Sequence, residues 1–119
     1  MQMANKNRDL AQLSVRQLRT RRRRLAAGLP DVEALLRGAL VNQRRRCGKE
    51  GCRCTRGELH GPYTYLAAGR PRGRSRLLYV PAALVEAVRR RVDQTAHLEA
   101  VLAQIAAINA ELLARRELD

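Results

Sequence analysis

Three cysteines, Cys47, Cys52 and Cys54, stand within eight residues of a 119-residue chain that has no other cysteine. His60, one of only two histidines, follows six residues after the last. The pattern Cys-x4-Cys-x-Cys-x5-His offers three soft sulfur donors and an imidazole, a set that tetrahedral Zn2+ takes readily in structural sites. Zn–S bonding and the charge of the ion together hold the thiols deprotonated. Short loops close such a site at little cost in chain entropy, and Gly48 and Gly51 let the backbone turn tightly around the first pair. One extended step brings the sulfurs of Cys52 and Cys54 to the same side. The expected site is a structural Zn2+ held by Cys47, Cys52, Cys54 and His60, with Glu50, Glu58 or His97 as alternatives for the fourth ligand. Four protein ligands leave no open position for a substrate, which makes the ion structural and not catalytic. The competing readings are three reduced thiols without a metal, and a redox pair or disulfide.

The second chemical signal is positive charge. Twenty-four basic residues against eleven acids give a formal net charge of +13, and 22 of the bases are arginine. Residues 1–46 carry twelve bases against three acids, residues 47–80 seven against two, and residues 81–119 five against six. A solvated face mixes both signs, as the last third does. The first two-thirds repel themselves unless a polyanion lies against them. Nucleic acid is the common one, bound through phosphate neutralisation and counterion release. The candidate contacts are Arg21, Arg22, Arg23 and Arg24 in one run, and Arg44, Arg45 and Arg46 in a second. Lys49, Arg53 and Arg56 surround the cysteines, and Arg70, Arg72, Arg74 and Arg76 cluster farther on. Duplex DNA is favoured over RNA. The tyrosines Tyr63, Tyr65 and Tyr79 could stack on unpaired bases, but packing against a helix is the plainer expectation for them.

The elements that must position these groups follow from periodicity. Residues 6–27 show an Arg-dense helical pattern with Leu10, Leu13, Leu18 and Leu25 on one stripe, ended by Gly28 and Pro30. A short helix begins near Asp31, and Gly38 interrupts it. Residues 39–46 run as a strand into Cys47. Pro62 suits a strand start, and Tyr63, Tyr65 and Ala67 alternate with Thr64 and Leu66. Residues 69–73, GRPRG, turn the chain into a second strand over residues 75–80. A long helix over about residues 82–116 follows Pro81. From Leu98 its apolar spacing is heptad-like, through Val101, Ile105, Ile108 and Leu112. Such a helix outreaches a domain of this size, so its far end must lie on the N-terminal helix or on a second copy of the chain.

The expected fold is α+β: N-terminal helices, a small zinc-knuckle β-hairpin of two or three antiparallel strands, and a long C-terminal helix. The expected division is a basic helical arm, residues 1–30, and a zinc-knuckle hairpin domain with the long helix, residues 31–119. The N-terminus lacks a signal-peptide pattern, and no continuous apolar run reaches ~18–20 residues. A cytoplasmic location is therefore expected, with no membrane partner and with a nucleoid association compatible with the charge.

The segments CGKEGCRC (47–54), HGPYTYL (60–66), LLYVP (77–81) and RGALV (37–41) resemble a family of small, basic, uncharacterised prokaryotic proteins, a domain of unknown function. The resemblance spans roughly residues 37–115. It implies the zinc knuckle at Cys47, Cys52, Cys54 and His60 and supplies no established activity; such proteins are sometimes met beside transposase-like genes.

No enzyme is expected. The acids form no obvious pair, Ser14 and Ser75 stand outside any nucleophile motif, and no glycine-rich phosphate loop precedes a helix. Neither a catalytic residue nor a small-molecule substrate is assigned. Two functions remain: a zinc-containing nucleic-acid-binding protein, accessory to a mobile element, or an adaptor whose C-terminal helix docks on a recombinase- or transposase-like partner or forms a homodimer.

Overall fold

The computed structural model describes residues 9–69 and 76–119. It is an α+β arrangement. Residues 9–12 are helical and are followed by α1 (Val15–Ala27). A three-stranded sheet comprises β1 (Ala39–Arg45), β2 (His60–Ala68) and β3 (Arg76–Tyr79), and the chain ends in α2 (Val85–Ala114). Two compact units divide it. One takes the residues up to Val32 together with Ala96–Asp119; the other is Glu33–Thr95.

In the first unit, the single helix expected over residues 6–27 is two pieces. The break lies at Ser14, which caps α1: its Oγ accepts from the Gln17 N–H at 3.1 Å, and its own N–H donates to Gln17 Oε1 at 2.9 Å. This reciprocal pair satisfies two N-terminal donors, so the Ser-x-x-Gln sequence starts a helix where the apolar stripe alone runs on. The carbonyls left over by the preceding turn are taken by Arg115. Its guanidinium donates to the oxygens of Leu13 (2.6 Å), Leu10 (2.9 Å) and Ala11 (3.1 Å). Leu10, Leu18, Ile108 and Leu112 form the core, with Leu13, Val15, Leu25 and Ala107 against it. The heptad-like stripe of α2 thus meets the N-terminal leucines, one of the two placements its length required.

In the second unit, the sheet is a meander in the order β1-β2-β3, antiparallel throughout. Leu40 pairs with Leu66 and Leu66 with Leu78; Val41 pairs with Tyr65 and Tyr65 with Tyr79. Alternation therefore puts Leu40, Leu66 and Leu78 on one face and the tyrosines, with Val41 and Leu77, on the other. Leu66 and Val80 are buried. The short helix expected near Asp31 is only a 3-10 turn, Val32–Ala34. Leu36, two residues beyond it, gives its N–H to the side chain of Thr95 at 2.8 Å instead of continuing a helix. Thr95 passes its own hydroxyl proton to the Arg91 carbonyl at 2.7 Å, which satisfies a buried polar group on an otherwise apolar stripe.

The helix expected at about residues 82–116 is α2, entered through a 3-10 turn, Ala82–Leu84, that Pro81 precedes. By length and composition Ala82–Ala114 is also apolar enough to cross a membrane, although charged residues interrupt its apolar run. Asp93, Glu99 and Glu111 lie along it.

Candidate metal centre and its basic rim

The site forms where β1 ends and β2 begins. Arg45, the last residue of β1, pairs with His60, the first of β2, and this brings Cys47, two residues past Arg45, to the imidazole. The register shifts between Gln43 and Arg45, opposite Gly61 and Pro62. A bulge is where a strand accommodates Pro, so Pro62 sits inside the strand rather than at its start. Gly61 has φ 107°, and a Cβ there would lie 2.8 Å from the Tyr63 nitrogen and 3.0 Å from the Gln43 oxygen. The turn that delivers His60 into the strand therefore requires glycine. On the other side, Gly51 at φ 75° reverses the chain immediately before Cys52.

The sulfurs of Cys47 and Cys52 and a ring nitrogen of His60 all lie within 4.8 Å of one another, each partly buried. Cys52 Sγ and His60 Nε2 are 2.9 Å apart. A tetrahedral ion with Zn–S of about 2.3 Å and Zn–N of about 2.0–2.1 Å sets its ligand atoms roughly 3.5–3.8 Å apart. The three groups would hold such an ion once the Cys52–His60 contact opens by about half an ångström and Cys47 Sγ, within 4.8 Å of both, takes up the same spacing, all side-chain adjustments. Cys47, Cys52 and His60 thus form a group able to bind a metal. Cys54 lies in the 3-10 turn Arg53–Arg56; its side chain, the expected third sulfur, lies outside the described residues. Among the described residues, Glu50, Glu58 and His97 do not join the group.

Arg45, Arg46 and Lys49 rim the depression that contains Cys47, Cys52 and His60, and Tyr63 completes its wall. Three cations beside the two sulfurs would offset the negative charge of a metal-bound, thiolate-rich centre. Arg44, Arg46, Lys49, Arg53, Arg56 and Arg76 are exposed. Arg45 is exposed as well, but its guanidinium lies over the Tyr65 ring, 4.5 Å from its centroid, and donates to Gln43 Oε1 at 2.8 Å.

The arginine run on α1 divides by helical phase. Arg21, Arg23 and Arg24 are exposed. Arg22 points inward and is engaged by Asp119 through two bonds of 2.9 and 2.7 Å and by Asn109 at 2.8 Å. That hydrogen-bonded pairing lowers the Asp119 carboxyl to about 2. Arg70, Arg72 and Arg74 lie outside the described residues. The tyrosines are the clearest departure from expectation. Packing against a helix is the plainer expectation, yet Tyr79 is 58% and Tyr63 39% exposed; Tyr65 is half-buried.

One family model matches, over residues 15–90, and it is described as Domain of unknown function (DUF6788). The match begins upstream of the segment the motifs suggested and takes in α1, the sheet, the Cys/His group and the start of α2. No curated protein and no solved structure matches the chain.

Proposed function

The chain belongs to this family, which assigns no activity, and from its Cys/His group we propose a non-enzymatic, zinc-braced nucleic-acid-binding protein, with DNA the first partner to test. The observation that carries the reading is the joining of a metal-ligand group to a basic rim: Cys47, Cys52 and His60 share one depression with Arg45, Arg46 and Lys49. A structural Zn2+ would be held by these three ligands, with Cys54 as the fourth. The ion would fix the end of the β1–β2 pair, and the exposed guanidinium and ammonium groups there would neutralise phosphates. The residues proposed as contacts are Arg44, Arg46, Lys49, Arg53, Arg56 and Arg76, with Arg21, Arg23 and Arg24 on α1. Arg22 is left out because Asp119 and Asn109 occupy it.

The test is a titration of labelled 20-base-pair duplex by fluorescence anisotropy across salt. Three to five neutralised phosphates give a slope of log K against log salt of about −3 to −4.5. The double variant Arg44→Gln/Arg46→Gln should flatten that slope by about 2. Absent binding of duplex, single strand and RNA alike at low salt, or binding indifferent to salt, rejects the proposal. A second reading has its own observation: Leu102 and Leu113 of α2 are about half exposed, as a helix-docking or homodimer surface requires. A light-scattering mass of one chain at micromolar concentration rejects the homodimer form of it.

A further inference from the structure

All three tyrosines of a chain without Phe or Trp fall on one face of the sheet. Tyr63 and Tyr65 alternate on β2, and Tyr79 stands opposite Tyr65 on β3. Their rings meet edge to face, with centroids 6.3 Å (Tyr63–Tyr79) and 5.8 Å (Tyr65–Tyr79) apart. The Arg45 guanidinium extends the array over Tyr65. On the opposite face Leu66 is 3% exposed, whereas on this face Tyr63 is 39% and Tyr79 58% exposed, with Tyr65 half-buried between them. That is the reverse of what burial alone selects, since an aromatic side chain gains more from burial than a leucine. Gln43, also on this face, supplies an amide beside the rings.

Resting on the nucleic-acid reading above, we infer that this face is a stacking platform for unpaired nucleobases, and that the preferred ligand is a single strand. Every base has a π-face, so aromatic rings and a flat guanidinium hold a strand without reading its sequence. A duplex hides those faces in its own stack and can use only the phosphate contacts. The charge complements such a ligand. Arg46 and Lys49 rim the depression whose wall is Tyr63, so a strand with its bases on the tyrosines can set its phosphates against them. Single-stranded DNA and RNA share this chemistry.

Tyrosine is the chain's only intrinsic fluorophore of note, and all of it lies on this face, so tyrosine emission reports the platform directly. The probes are dT12, rU12 and a 12-base-pair duplex, added at 50 mM salt to the metal-loaded protein. Quenching of tyrosine emission by dT12 or rU12, with affinity above that for duplex, is expected. Tyr79→Ala and Tyr63→Ala should each weaken single-strand binding roughly 5- to 150-fold while changing duplex affinity less than about twofold. Tyr79→Phe keeps the ring and should bind as the unchanged protein does. The arm with the larger response distinguishes DNA from RNA. Duplex bound at least as tightly as either single strand, with no quenching, overturns this inference alone. So does an equal loss in Tyr79→Phe and Tyr79→Ala. Failure of all three probes to bind removes the nucleic-acid reading itself, and the inference with it.

Discussion

Substituting Cys52 separates the two compact units energetically. Within Glu33–Thr95, Leu66 and Val80 are the buried hydrophobic side chains among the described residues. Burying two such side chains stabilises by roughly 3–6 kcal/mol. A structural Zn2+ contributes on the order of 10–16 kcal/mol of apparent binding energy, so the proposed ion outweighs this core. The other unit rests on Leu10, Leu18, Ile108 and Leu112 and on the Arg115 bonds to three carbonyls; it takes nothing from the ion. Cys52→Ser should therefore release the metal and cost the second unit 3 kcal/mol or more, which is a fall of roughly 12–24 °C in its melting midpoint. Hydrogen exchange read by mass spectrometry resolves the two. Peptides covering β1, β2 and β3 should lose protection on substitution or on chelation, while those covering α1 and the end of α2 keep theirs. Metal emission on the purified chain supplies the stoichiometry. Protein isolated without metal, with sheet protection indifferent to chelator and to Cys52→Ser, refutes the reasoning.

Other consequences are structural. Thr95→Val removes the acceptor of the Leu36 N–H and should cost about 1–3 kcal/mol in chemical denaturation, while Thr95→Ser restores most of it. Arg115→Met strips donors from three carbonyls at the end of the first helical turn. With the side chain 27% exposed, the cost should be about 2–3 kcal/mol, and Arg115→Lys should recover less than half because an ammonium lacks the fork. The Asp119 carboxyl, held by Arg22 at about 2 against an ordinary 3.8, stabilises the fold above its ordinary value. That contribution is lost as pH falls from about 4 to about 2. Melting points of the unchanged protein and Asp119→Asn should differ at pH 6 and converge near pH 2, with a smaller gap in high salt because the pair is exposed.

Much of this was legible in the sequence because local chemistry settled it. Pro81 and the long apolar stripe marked α2, and the alternation around Tyr63–Ala67 marked β2. Spacing alone gathered Cys47, Cys52 and His60. What stayed hidden depended on partners far along the chain. The Ser14–Gln17 box was present in the letters but was masked by a leucine stripe that ran straight through it. Nothing near Arg115 announces that its guanidinium caps a turn a hundred residues earlier. Arg22 is indistinguishable from Arg21 and Arg23 until Asn109 and Asp119 come beside it. The boundary between the units falls inside an unbroken helix, where no Gly, Pro or charge shift marks it.

The exposure of Tyr63 and Tyr79 is not legible in the sequence for a related reason. Alternation shows which residues share a face but not which face is covered, because strand period is two on both sides. Packing against a helix is the plainer expectation for scarce aromatics. The sheet instead buries Leu66 and leaves Tyr63 and Tyr79 exposed, with Arg45 over the half-buried Tyr65. A sheet that forgoes the burial of its largest apolar side chains must recover rigidity elsewhere. The Cys/His group at the β1–β2 end is placed to supply it, since an ion there would clamp the strands from outside the core. On this view the metal centre and the aromatic face are one device: the ligands hold the strands so that the rings need not.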